Sequence, residues 1–117
     1  MSAASRPSKI PARFYRESGV HEPVRAWLLE LPKEERRTIG TDILTVQYGW
    51  PLGMPLVRPL GGGLWEVRSS LGTRIARVIL TFHDDEIVLL HGFIKKTRKT
   101  ARADLELARR RARQVKA

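Results

Sequence analysis

Leu64 to Thr100 reads LWEVRSSLGTRIARVILTFHDDEIVLLHGFIKKTRKT, and this stretch decides the fold. Leu64 to Ser69 alternates, with Trp65 and Val67 on one face and Leu64, Glu66 and Arg68 on the other, the period of a strand. Ser70-Leu71-Gly72-Thr73 is a turn, Arg74 to Phe82 a second strand, and His83-Asp84-Asp85 the next turn. Glu86 to Phe93 is apolar on both faces through Leu90, which marks a covered strand. Gly92 within it points to a bulge or to a close approach by backbone or ligand. Turns this short make the three strands a consecutive antiparallel meander, which ends in a basic knot at Lys95, Lys96, Arg98 and Lys99, with Arg102 beyond.

Upstream, Met1 to about Lys9 is small, polar and basic and reads as a loose arm. Ile10 to Tyr15 suits an edge strand that tolerates Pro11. His21-Glu22-Pro23 is a helix entrance, and Val24, Trp27, Leu28 and Leu31 form one apolar stripe behind it. Pro32 ends that helix. A second begins at Lys33-Glu34-Glu35, continues its stripe through Ile39, Ile43 and Val46, and stops at Gly49 with Pro51. Trp50 to Gly63, with three prolines and four glycines, reads as an ordered loop. Downstream, Thr100 is positioned to cap a final helix with a narrow stripe of Leu105, Ala108, Ala112 and Val115, the rest being clothed by Arg102, Arg109, Arg110, Arg111, Arg113 and Lys116. The expected fold is α+β: a helical hairpin packed on a small, mostly antiparallel sheet with a C-terminal helix, a single domain over residues 10–117.

Composition narrows the partners. The 117 residues carry 22 basic against 12 acidic side chains, a formal charge of +10 that suits a polyanion such as nucleic acid. An anionic membrane surface or an acidic protein would also be drawn to it. Zero cysteines exclude disulfides, thiol catalysis and thiolate metal sites. The three histidines, His21, His83 and His91, lack ligand spacing, so neither a metal nor a cofactor is expected. No apolar run reaches the roughly 18 residues of a membrane span, and a cytoplasmic protein without a membrane partner is expected.

The residues able to carry chemistry cluster on the meander. Arg68 is either half of a solvated ion pair with Glu66 or a guanidinium held on a rigid strand to grip a phosphate. Arg77 shares its face with Ile79 and Thr81 and is a second anion-binding candidate, with a covering role for its stem as the other reading. His91 is either a hydrogen-bonded core histidine or, if it faces the basic knot, a neutral imidazole able to take a proton. Lys95, Lys96, Arg98 and Lys99 fan from a strand end and suit phosphate contacts. No Walker motif, Rossmann fingerprint, GxSxG or acidic magnesium cluster is present. Metal-free RNA cleavage through the RNA's own 2′-hydroxyl fits that restriction, since proton transfer and charge stabilisation suffice.

Taken together, GLWEVR at Gly63–Arg68, RIARVIL at Arg74–Leu80 and LLHGFIKKTRKT at Leu89–Thr100 resemble the phage-derived branch of the RelE/HigB-type toxins. The order of elements is similar over nearly the whole chain after the arm. The resemblance implies a toxin of a toxin–antitoxin system, an endoribonuclease that enters the ribosome and cuts mRNA, held silent by a cognate antitoxin, commonly a helix-turn-helix protein. It implies Arg68 at the scissile phosphate and Lys96, or its neighbour Lys95, stabilising the charge that develops. Relatives often carry lysines where this chain has Leu64 and Glu66, and proline where it has Ala101. Two other readings stay open: a ParE-like inhibitor of DNA gyrase, and a non-catalytic basic module that binds nucleic acid.

Overall fold

The computed structural model describes residues 9–51, 56–95 and 100–117, with Lys95 described by its backbone alone. Of the expected N-terminal arm, residues 1–8 lie outside the described residues. Helix α1 (Pro23–Leu29) opens on proline, whose missing N–H is not needed in the first turn, and α2 (Lys33–Gly49) carries Glu34 and Glu35 where the helix dipole favours them. The hairpin faces the sheet with Val24, Ile39, Ile43 and Val46, all buried, and Trp27, Leu28 and Leu31 pack beside them. Two further ties fix its place: Glu35 pairs with Arg74, and Gln47 Nε2 donates to the Ile10 carbonyl at 2.9 Å.

The sheet has five strands in the order β1-β5-β4-β3-β2. These are β1 (Ala12–Phe14), β2 (Val57–Gly61), β3 (Leu64–Leu71), β4 (Arg74–His83) and β5 (Glu86–Lys95). The short first strand lies parallel to β5 at one edge; the rest is an antiparallel meander. The β4–β5 turn sets Asp84 and Asp85 both at positive φ, a conformation these short polar side chains tolerate. Part of the expected loop is instead a strand: β2 pairs with β3 from Val57 to Gly61, so the meander has four strands rather than three. Pro59 fits there because β2 is an edge strand, where a missing donor need not break a ladder.

Each face of the sheet has its own helical cover. Val57, Val67, Ala76, Val78, Leu80, Ile87 and Leu89 face the α1–α2 hairpin, while Leu64, Ile79, Val88, Leu90 and Phe93 face α3 (Arg102–Lys116). Helix α3 buries Ala108 and Ala112, with Leu105 and Val115 partly buried, the expected stripe. It begins with Ala101 in the capping position and no side-chain cap; the Thr100 hydroxyl is turned instead to Glu66. Nor does Arg111 clothe the surface: it donates to the Leu90 carbonyl at 2.7 Å, pairs with Glu17 at 3.2 Å and lies over the Tyr15 ring. Among the described residues no helix is long and apolar enough to cross a membrane.

The strand does carry a bulge, two residues before Gly92, and what approaches Gly92 closely is a side chain rather than backbone or a ligand. The bulge falls between the pairs Leu80↔Leu89 and Ile79↔His91, leaving Leu90 as the extra residue. The close approach is made by Trp27, whose Cε3 would stand 2.3 Å from a Cβ at position 92. Gly92→Ala is therefore expected to destabilise the fold by about 1–3 kcal/mol in urea unfolding. Adding Trp27→Leu should recover part of that loss, a coupling read from the double-mutant cycle.

Candidate phosphate-binding site at the end of the sheet

Strand register brings three arginines to one region. Arg68 on β3 stands opposite Arg77 on β4, which stands opposite Phe93 on β5, and Arg58 on β2 stands opposite Glu66. Arg58, Glu66, Arg68 and Arg77 thus share the face that α3 partly covers. Arg77 and Glu66 are both fully buried, with Arg77 Nη1 3.7 Å from Glu66 Oε2. Thr100, arriving from the start of the α3 segment, closes the group: its hydroxyl donates to Glu66 and accepts from Arg77 Nη1 at 3.3 Å.

The solvated Glu66–Arg68 pair considered from sequence is not what forms. Same-strand spacing put the two side chains on one face correctly, but Glu66 is buried there and takes the cross-strand Arg77 and Thr100 as partners. Burial holds the Arg77 guanidinium below the ordinary arginine value; Glu66 works against that, while Arg68 and then Arg58 add to it. The guanidinium stays protonated, because arginine does not give up its proton in a protein. Glu66 is thus paired with Arg77 in a region that also holds the Arg68 and Arg58 guanidinium groups.

Arg68 keeps donor capacity. Its backbone N–H is bonded to the Leu56 carbonyl at 2.9 Å, which fixes the strand where β2 has not yet begun. Its side chain is half-buried and lines a cavity of about 370 Å³ with Asp42, Leu56, Ser70 and Ile75. Among the described residues its buried Nε has no acceptor. A guanidinium held this way offers N–H groups to a phosphate at little ordering cost.

The other sequence candidates are distributed unevenly around this cavity. Lys95 ends β5 opposite Ile75, a cavity residue, while Lys96, Arg98 and Lys99 lie outside the described residues. His91 stands opposite Ile79, stacks on Phe93 with ring centroids 5.0 Å apart, and has its Nε2 2.7 Å from Asp104 Oδ1 in the first turn of α3. Its ring is thus oriented by a carboxylate, with 16% of the side chain exposed. Sequence reasoning missed Arg58, because its strand was read as a loop. It also missed Asp104, whose only signal was an acidic residue in a first helical turn.

Comparison with curated proteins finds no match. The family described as Phage derived protein Gp49-like (DUF891) matches residues 26–113, a span that runs from within α1 through the whole meander into α3 and so contains every residue of the arginine site. That family is commonly linked to RelE-like toxins of toxin–antitoxin systems. With the match covering most of the chain, the protein belongs to the Gp49-like family of phage-derived proteins.

Proposed function

We propose that the chain is the toxin of a toxin–antitoxin pair and that it cleaves mRNA on the ribosome, in the cytoplasm, silenced by an antitoxin for which a helix-turn-helix protein is the expected type. The observation that carries this is Arg68: a strand-held guanidinium whose buried Nε has no acceptor among the described residues, lining a cavity beside the buried Glu66–Thr100–Arg77 group. In the reaction the RNA 2′-hydroxyl loses its proton and attacks the adjacent phosphorus. The bond to the 5′-oxygen breaks and that oxygen takes up a proton, leaving a cyclic phosphate and a free 5′-hydroxyl. Arg68 binds the non-bridging oxygens, where negative charge grows, and the basic segment with Lys95, Lys96, Arg98 and Lys99 adds countercharge, Lys96 or Lys95 foremost. Arg77 acts from beneath, as fixed positive charge held by Glu66. His91, oriented by Asp104, is the proton carrier.

Induction of the chain in growing bacteria, with 5′ ends of messages mapped, tests the reading. New ends inside translated reading frames are expected, carrying 5′-hydroxyls. Growth arrest with intact messages, above all with a DNA-damage response, would favour gyrase as the target. His91→Ala is expected to slow single-turnover cleavage by about 10²-fold or more, and Asp104→Asn by less. Cleavage by His91→Ala at the wild-type rate would assign proton transfer to another group.

A further inference from the structure

Helix α3 rests mainly on β5 and β4 and leaves a groove beside it, over β3 and β2. Gly62, Leu64, Arg109, Ala112, Arg113 and Lys116 line a cavity there of about 370 Å³. The three cations are exposed and follow one another at i, i+4 and i+7 on a single stripe of the helix, roughly 10 Å from first to last. Lys116 reaches across to the β2–β3 turn, its Nζ standing 3.5 Å from where a Cβ on Gly63 would lie. Among the described residues none of the lining side chains is acidic. Glu106, one turn before Arg109 on the same stripe, is tied to Arg102 at 3.3 Å.

This groove leads to the arginine site. Leu60, packed against the cluster that includes the lining residues Leu64 and Ala112, is two residues from Arg58 on β2, and Arg58 acts on Arg77 as Arg68 does. Cations therefore run from Arg68 through Arg58 to Arg109, Arg113 and Lys116. We infer that this groove is a track for the backbone of single-stranded RNA leading away from the cleavage site. The identity of the strand rests on the proposed function; its binding here does not require cleavage. Aliphatic lining without an aromatic ring gives no platform for stacking bases, so the track would hold phosphates and tolerate any sequence. The line of cations and its continuity with the arginine site favour a nucleic-acid backbone over an acidic peptide.

Fluorescence anisotropy of a labelled oligouridylate across a salt series tests this with the full chain. Arg113→Gln combined with Lys116→Gln is expected to weaken binding about tenfold and to flatten the slope of log affinity against log salt by about 1.4, two phosphate contacts at roughly 0.7 each. Arg25→Gln with Arg37→Gln makes the same charge change at exposed positions of the hairpin, on the other side of the sheet, and should leave the slope unchanged. Equal effects of the two pairs, no effect of the groove pair, or no oligouridylate binding at low salt would overturn the track. So would polyglutamate binding in the groove in preference to the oligouridylate, which would make it a protein dock. Groove-dependent binding in a chain that leaves messages intact in cells would sink the cleavage reading and keep the track.

Discussion

Glu66→Ala is expected to destabilise the fold by about 3–5 kcal/mol, the largest effect of any single change considered for this chain. The reason is the partner left behind. Arg77 is fully buried on a central strand, and Glu66 is the carboxylate that answers its charge, with Thr100 bridging the two. Removing the carboxylate leaves a guanidinium in a site that also feels Arg68 and Arg58. Urea unfolding of the single variant reads the loss as a lower midpoint at unchanged slope. Replacing the pair together, Glu66→Leu with Arg77→Met, should cost far less, because a buried pair exchanged for packed apolar groups is often neutral or better. A single variant within about 1 kcal/mol of wild type would mean that water or another group reaches Arg77.

Arg68→Ala should behave in the opposite way. Its side chain has no acceptor at Nε among the described residues and borders a cavity, so stability should change by no more than about 1 kcal/mol. Cleavage, by contrast, should fall by about 10² to 10³-fold, the loss that follows removal of one positioned donor to a developing oxyanion. Arg68→Lys should restore only part of it, since an ammonium cannot give two parallel N–H groups to one phosphate. The two variants together separate the group that holds the site from the group that works in it. Parallel losses of stability and activity at Arg68 would mean its guanidinium is structural.

Much of the frame was legible because its signals are local. Helical stripes at Val24–Leu31, Ile39–Val46 and Leu105–Val115, the prolines at 23 and 32, and the turns, read at 70–73 and 83–85 and tightened by strand pairing to 72–73 and 84–85, each act within a few residues. Strand β2 was hidden because proline and glycines dominate its composition; only pairing with β3 makes it a strand. The site was half legible for the same reason. Alternation put Glu66 with Arg68 on one face of β3 and Arg77 with Ile79 and Thr81 on one face of β4, but only the register sets Arg68 opposite Arg77, and Glu66 meets Thr100 from 34 residues away. His91 likewise acquires its partner from 13 residues on, in a helix whose docking no strand periodicity reveals. Gly92 was readable as a bulge or as a close approach by backbone or ligand, and only the packed hairpin shows that the Trp27 side chain is what approaches.

The most direct measurement is cleavage of a defined mRNA on ribosomes held with an empty A site, comparing purified wild type with Arg68→Ala at equal folded concentration. Cuts at the A-site codon carrying a 5′-hydroxyl, made by the wild type and reduced at least a hundredfold in the variant, are the predicted result. Uncut message with wild-type protein, or equal cutting by both proteins, would contradict it.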